Sequence, residues 1–166
     1  MTAPTVWLCD FDGTISPADI GAALIRHFAP DAGERHRALL EKWKRDEIGS
    51  RDLTREECLD MRVEPEHALE FVRGFELDPG FFGFVSAARA HGDEVRVVSD
   101  GFDFYIGDHL ARAGLPEVRY AANRARFAGG RLEPEFPHAG GCGRCGNCKG
   151  AHARSWRERG FRTFAV

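Results

Sequence analysis

The amino-acid sequence predicts an α/β fold. A mostly parallel sheet lies between helices in three layers, with an all-helical insertion after the first strand and a β-hairpin further on. Three observations carry this expectation. Val6 to Cys9 and Glu94 to Val98 read as buried strands, each ending in a polar turn that leads into a helical pattern, the alternation of a parallel sheet. Between Ala18 and Phe75 there is no strand pattern, only apolar residues at helical spacing. Ala125 to Phe127, then Gly129-Gly130, then Arg131 to Phe136 has the form of two strands around a tight turn.

Val6-Trp7-Leu8-Cys9 carries no charge and does not alternate, as expected of a strand covered on both faces. It stops at Asp10-Phe11-Asp12-Gly13-Thr14, where Gly13 permits a sharp turn. Ser16-Pro17-Ala18-Asp19 leads into a helix with Ile20, Ala23, Leu24, His27 and Phe28 on one side, ended by Pro30. Asp31 to Asp46 predicts a second helix with Leu39, Leu40 and Trp43 on one face, and Gly49-Ser50 breaks it. Ser50 or Asp52 is expected to cap a third helix carrying Leu53, Cys58 and Met61. Pro65 opens a fourth, with Ala68, Leu69 and Val72. His27, His36 and His67 in this block read as surface or packing residues, since nothing in the sequence pairs them.

Leu77-Asp78-Pro79-Gly80 marks the boundary, so residues 18–76 form the helical insertion and residues 1–17 with 77–166 the core. Phe81, Phe82, Phe84, Val85 and Ala88 predict a helix stopped by His91-Gly92. The strand Glu94 to Val98 ends in Ser99-Asp100-Gly101, with a helix expected at once, carrying Phe102, Ile106, Leu110 and Ala113. Val118 to Ala122 is strand-like and the hairpin follows. After the glycine-rich HAGGCGRCGNCKG come a short helix, His152 to Glu158, and a last strand, Phe161 to Val166.

The chain has 166 residues, enough for one proper core, with 43% hydrophobic and 30% charged residues. A net charge of −3 and no basic run give no reason to expect nucleic acid. No apolar run approaches membrane-spanning length, and MTAPTV lacks the basic-then-apolar form of a signal peptide. Cys9 and Cys58 stand alone while Cys142, Cys145 and Cys148 cluster, a pattern that fits a reducing cytoplasm better than a disulfide framework. Nothing in the sequence sets an oligomeric state.

Asp10 and Asp12, two apart on an extended chain at a strand's carboxyl end, bring like charges together where open α/β sheets bind ligands. A hard cation such as Mg²⁺ would offset them; the plain alternative is a polar turn. Ser99 is placed where a strand gives way to a helix, which suits an anion. Lys149 follows a glycine-rich loop in a chain whose other lysines are Lys42 and Lys44, which suggests a need for a compact ammonium. Cys142, Cys145 and Cys148 at C-x2-C-x2-C spacing, with His138 four residues upstream, could hold a structural zinc; free thiols in a flexible loop are the alternative.

DFDGT after an apolar strand resembles the first motif of the haloacid dehalogenase superfamily, most of whose members are phosphatases, and VVSDGFDFY resembles its second. FPH followed by clustered cysteines and CK resembles the branch that includes 2-hydroxy-3-keto-5-methylthiopentenyl-1-phosphate phosphatase and, more loosely, phosphoserine phosphatase. The resemblance spans essentially the whole chain. It implies a Rossmann-like core with a helical cap, here 18–76, and Mg²⁺-dependent hydrolysis of a small phosphorylated metabolite through an aspartyl-phosphate. Asp10 would be the nucleophile and Asp12 the general acid/base. Ser99, with Asp100 and Gly101, would bind phosphate, and Lys149 would balance charge. Mg²⁺ would sit on the Asp10 carboxylate and the Asp12 backbone carbonyl. Asp19 stands where phosphoserine phosphatases carry an acidic residue for the substrate amine.

The superfamily's fourth motif, an acidic GD-x-x-x-D turn that adds metal ligands, has no match before Val166, and Gly107-Asp108 falls within the helix after Ser99. The expectation is therefore a C-terminally incomplete core. The alternative function is a catalytically weak or inactive core that binds a phosphate ligand or regulates.

Overall fold

The first strand is apolar throughout because both of its faces are covered. In strand β1 (Thr5–Cys9), Val6 and Leu8 join Val98 on one face and meet Ala153, Trp156 and Phe161. Cys9 belongs to a larger cluster on the opposite face, with Val95, Val97, Ile106 and Leu110, and Trp7 packs against it. Trp7 also donates its indole N–H to Asp93 Oδ2 at 2.9 Å. This is the three-layer arrangement expected from the sequence.

The computed structural model describes residues 3–141 and 143–166. Among them, β1, β2 (Glu94–Phe102), β3 (Arg119–Ala128), β4 (Arg131–Glu135) and β5 (Arg162–Ala165) form a five-stranded sheet in the order β4-β3-β2-β1-β5. β1 runs parallel to β2, with Cys9 opposite Val97, and to β5, with Leu8 opposite Ala165. β3 is parallel to β2 and antiparallel to β4. Helix α7 (Lys149–Glu158) supplies Ala153 and Trp156 to one face; α5 (Gly80–His91) and α6 (Asp103–Arg112) cover the other. α5 ends where Gly92 turns left-handed, φ 85°.

The insertion comprises α1 (Ile20–Phe28), a 3₁₀ turn (Pro30–Ala32), α2 (Gly33–Lys44), α3 (Ser50–Cys58) and α4 (Pro65–Val72). Its buried residues Ile20, Leu24, Met61 and Val72 belong to the same cluster as Val85, Val97 and Tyr105. The hairpin tip reaches it too: Val63 N donates to Gly130 O at 2.9 Å.

Four local expectations change. β2 runs on to Phe102, because Phe102 pairs with Asn123 across a register shift, so Ser99 lies within a strand and α6 begins only at Asp103. The strand-like Val118 to Ala122 and the first arm of the hairpin are one continuous strand, β3, which hands over from β2 to β4. Buried Asn123 anchors that handover by donating to Asp100 O at 2.6 Å. α3 has Gly49 as its N-cap with no side-chain cap, and the Ser50 hydroxyl accepts from Gly146 N at 3.2 Å instead. α7 starts at Lys149, three residues before the expected His152. Among the described residues no helix is long and apolar enough to cross a membrane.

Candidate active site

The carboxyl ends of β1 and β2 and the start of α7 form the floor of a cavity of about 460 Å³, with α1, α2 and α3 as its other wall. Asp10, Asp12, Asp19, Ser99, Asp100, Gly101 and Lys149 all line it. The parallel pairing of β1 and β2 is what brings Asp10 beside Ser99, 89 residues on in the chain, since both strands end on the same edge of the sheet.

Asp10 follows directly on β1. Its Oδ1 accepts from Phe11 N at 2.9 Å, and its Oδ2 pairs with Lys149 Nζ. Its side chain is about 30% exposed, toward the cavity. Asp12 is held differently. Oδ1 accepts from Ile20 N at 2.8 Å and from Gly21 N at 3.4 Å, and Oδ2 accepts from the Tyr105 hydroxyl at 2.6 Å. Burial disfavours its charged form and pushes its carboxyl up to about 6, even though the Tyr105 bond acts the other way. Two carboxyls two residues apart therefore have unlike surroundings, one beside an ammonium and one desolvated.

Ser99 is buried, and its hydroxyl accepts from Gly101 N at 2.9 Å. Gly101 has to be glycine: a Cβ there would overlap the Tyr105 hydroxyl and lie 2.5 Å from Asp12 Oδ2. The Asp100 carboxylate accepts from Asn147 N at 2.6 Å, and burial raises its pKa from the ordinary value. Asn147, itself buried, donates to Ser99 O at 2.9 Å and Ala121 O at 2.8 Å, which ties the loop before α7 to β2 and β3. Asp19 caps α1 by accepting from Ala22 N at 2.8 Å.

The wall opposite the floor carries groups that sequence reasoning set aside. His36 Nε2 lies 2.5 Å from Glu57 Oε1, so His36 is paired, which corrects the expectation that nothing pairs it. Burial and the neighbouring Asp19 push the Glu57 carboxyl up to about 7, while burial and Arg26 lower His36. Arg26, His36, Glu57 and the half-exposed Trp43 all line the cavity. Tyr105 was missed as well. It stands four residues after Gly101 within VVSDGFDFY, where one more aromatic on an apolar helix face carries no sign of its hydroxyl partner.

Mg²⁺ commonly binds through one or two carboxylates, waters and substrate phosphate oxygens. The cavity-facing Asp10 carboxylate and the Asp12 carbonyl, both hard oxygen donors, fit that pattern. The zinc expectation finds no support. Cys142 lies outside the described residues, and among those described no group of three or more His, Cys, Asp or Glu could hold a metal ion. The His138 ring faces that of His152, with centroids 5.4 Å apart, and Cys148 N donates to His138 O.

The model of the haloacid dehalogenase-like hydrolase family matches residues 7–166. The chain is 32% identical over 153 residues to a 2-hydroxy-3-keto-5-methylthiopentenyl-1-phosphate phosphatase of Brevibacillus brevis, covering 87% of this chain and 68% of that protein. It is 30% identical over 162 residues to the protein of the same name from Bacillus velezensis, covering 90% of this chain and 64% of the relative. The chain thus spans about two thirds of the length of these relatives. Among solved structures, a phospho-aspartyl intermediate analogue of phosphoserine phosphatase superposes with a TM-score of 0.71 at 21% identity, covering 99% of this chain and 78% of that one.

Proposed function

The chain belongs to the haloacid dehalogenase-like hydrolase family, and from that premise we propose that its cavity hydrolyses a phosphate monoester of a small metabolite through an aspartyl-phosphate on Asp10. The observation that carries the reading is the pairing of a cavity-facing Asp10 carboxylate with Lys149 beside a second, desolvated acid, Asp12. The relatives' names and the phospho-aspartyl analogue support it. In this reading residues 18–76 form a cap over a core of 1–17 and 77–166.

One Asp10 oxygen attacks phosphorus in line as the bond to the leaving oxygen breaks. Asp12, whose carboxyl is pushed up to about 6, can carry the proton that the leaving oxygen takes. Water then attacks the phosphorus, Asp12 takes back a proton, and inorganic phosphate leaves with the Asp10 carboxylate restored. The Lys149 ammonium and backbone N–H groups near Ser99 offset charge on the non-reacting oxygens. When bound at the Asp10 carboxylate and the Asp12 carbonyl, Mg²⁺ would add to that neutralisation.

A second reading, a phosphate-binding protein with weak turnover, is favoured by one observation. Both Asp12 carboxylate oxygens already accept protein hydrogen bonds, which ties up the group that would carry the proton. Two measurements separate the readings. Beryllium fluoride in the presence of Mg²⁺ should give a bound ¹⁹F NMR signal that Asp10→Asn abolishes; an unchanged signal in that variant would overturn the assignment of Asp10. Phosphate release from p-nitrophenyl phosphate, present in the first reading and near background in the second, decides whether the pocket turns over.

A further inference from the structure

Tyr105 has no part in the reaction as described above, yet it is bonded to one of the two acids. It is fully buried, third in α6, with its ring 5.8 Å from that of Phe11 and 5.4 Å from that of Phe104. Phe11 stands between Asp10 and Asp12 in the chain, so the contact that fixes the tyrosine ring also fixes the turn that carries both acids. A hydroxyl held in this way is a donor in a set place. It reaches Asp12 Oδ2 at 2.6 Å, from 93 residues away in the sequence.

The two oxygens of Asp12 are held unequally. A carboxylate has about four lone-pair positions. Two backbone donors converge on Oδ1, Ile20 N at 2.8 Å and Gly21 N at 3.4 Å. An N–H cannot accept, so a proton on Oδ1 would face two donors. Among the described residues Oδ2 receives one donor, the Tyr105 hydroxyl, and keeps a lone pair. Gly101, which lines the cavity, leaves that oxygen uncovered: a Cβ there would lie 2.5 Å from Oδ2. Resting on the phosphatase reading, we infer that Tyr105 is a positioning residue that acts through Asp12, its hydroxyl pinning Oδ2 so that the free lone pair of the carboxyl faces the leaving oxygen. As the bond from phosphorus to that oxygen breaks, its electron pair stays on the oxygen and takes the proton from Oδ2. The charge left on Asp12 is met by the same Tyr105 O–H. Oδ2 then takes a proton from the attacking water as phosphate leaves Asp10. Tyr105 neither gains nor loses a proton, and its bond strengthens as charge develops on Oδ2, which favours the transition state over the ground state.

The test is Tyr105→Phe, which keeps the ring and its packing, read with two esters. Phenolate leaves phenyl phosphate poorly without a proton, whereas the leaving group of 2,4-dinitrophenyl phosphate needs none. For phenyl phosphate, kcat/KM should fall about tenfold, the loss expected from one hydrogen bond to a charged group. For 2,4-dinitrophenyl phosphate it should change by less than about twofold, since proton delivery does not limit that ester. A tyrosine that only supported the fold would lower both alike, and equal losses would overturn the inference. A second arm needs no turnover. Beryllium fluoride copies the phospho-aspartate, and aluminium fluoride copies the in-line transition state with water in the place of the leaving oxygen. By ¹⁹F NMR, Tyr105→Phe should weaken aluminium fluoride binding about tenfold and leave beryllium fluoride binding unchanged. Equal weakening of the two, or none, would overturn the inference while leaving the phosphatase reading in place. A wild-type chain that binds neither fluoride would instead overturn that reading, and the role of Tyr105 with it.

Discussion

At the scale of single residues the site depends on close approach. Gly101, Asp12 and Tyr105 meet in a space with no room for a methyl group: a Cβ on Gly101 would overlap the Tyr105 hydroxyl and crowd Asp12 Oδ2. Tyr105 is fully buried and Asp12 sits against backbone donors, so neither can give way without losing a hydrogen bond. Gly101→Ala is therefore expected to destabilise the fold by about 1–3 kcal/mol, the usual penalty for overpacking, as read from urea denaturation. A change under about 0.5 kcal/mol, the level of a neutral surface substitution, would show that the pocket is looser than described. The sequence made Gly101 visible as part of a turn and, through the resemblance, of an expected phosphate site. What requires glycine is a tyrosine four residues later and an aspartate 89 residues earlier, a meeting produced by strand pairing. Asp10, Asp12, Ser99 and Lys149 were legible as residues of one cavity because each belongs to a short motif that the sequence places at the end of a strand or loop. His36 and Glu57 were not, since they come from two helices whose mutual packing no spacing rule specifies.

At the scale of elements, α2, like α7, buries no residue of its own. α2 is tied to α3 by Arg35 with Glu56 and by His36 with the buried Glu57, and to the turn after α3 by Arg35 with Asp60; both Arg35 pairs are largely exposed. Exposed pairs contribute roughly 0–1 kcal/mol each, so the more consequential group is Glu57. Its carboxyl is raised from 4.5 to about 7 in the folded chain. Between those values the folded state keeps a proton that the unfolded state releases, so this group's contribution falls as pH rises from about 4.5 to about 7 and is flat above. His36, lowered from 6.5, acts in the opposite sense, costing stability as pH drops below that value. Glu57→Gln removes the first effect and leaves the second. The variant should lose less stability than the wild type between about pH 5 and about pH 8, by at most about 3 kcal/mol. Parallel pH profiles for the two proteins in urea denaturation would show that Glu57 does not titrate this way. The elements themselves were largely readable, since hydrophobic period and glycine or proline stops found each helix. The errors fell where tertiary pairing extends an element: β2 past Ser99 to meet Asn123, β3 across two partners, and α7 back to Lys149.

At the scale of the whole molecule, the two-part division suggested by the sequence meets a single packed interior. Ile20, Leu24, Met61 and Val72 of the insertion share a cluster with Phe81, Val85, Val97, Ile106 and Leu110 of the core, and the ring of Phe11 faces Tyr105 at 5.8 Å between them. A helical block that buried its apolar surface against itself could unfold alone. One that uses the core as its other half cannot, because melting it exposes both sides of the shared surface. Leu24 tests this, being fully buried on the insertion side. Leu24→Ala should cost about 2–5 kcal/mol through lost burial and the cavity left behind. The loss should appear equally in both parts. Trp7 reports on the sheet and Trp43 on the insertion, so variants that keep one of these tryptophans as the sole fluorophore follow each part separately. In wild type and in Leu24→Ala the two urea transitions should coincide, shifted together by the substitution. An early transition at Trp43 that leaves the Trp7 transition in place would mean that the insertion melts alone and that the shared cluster does not couple the two parts.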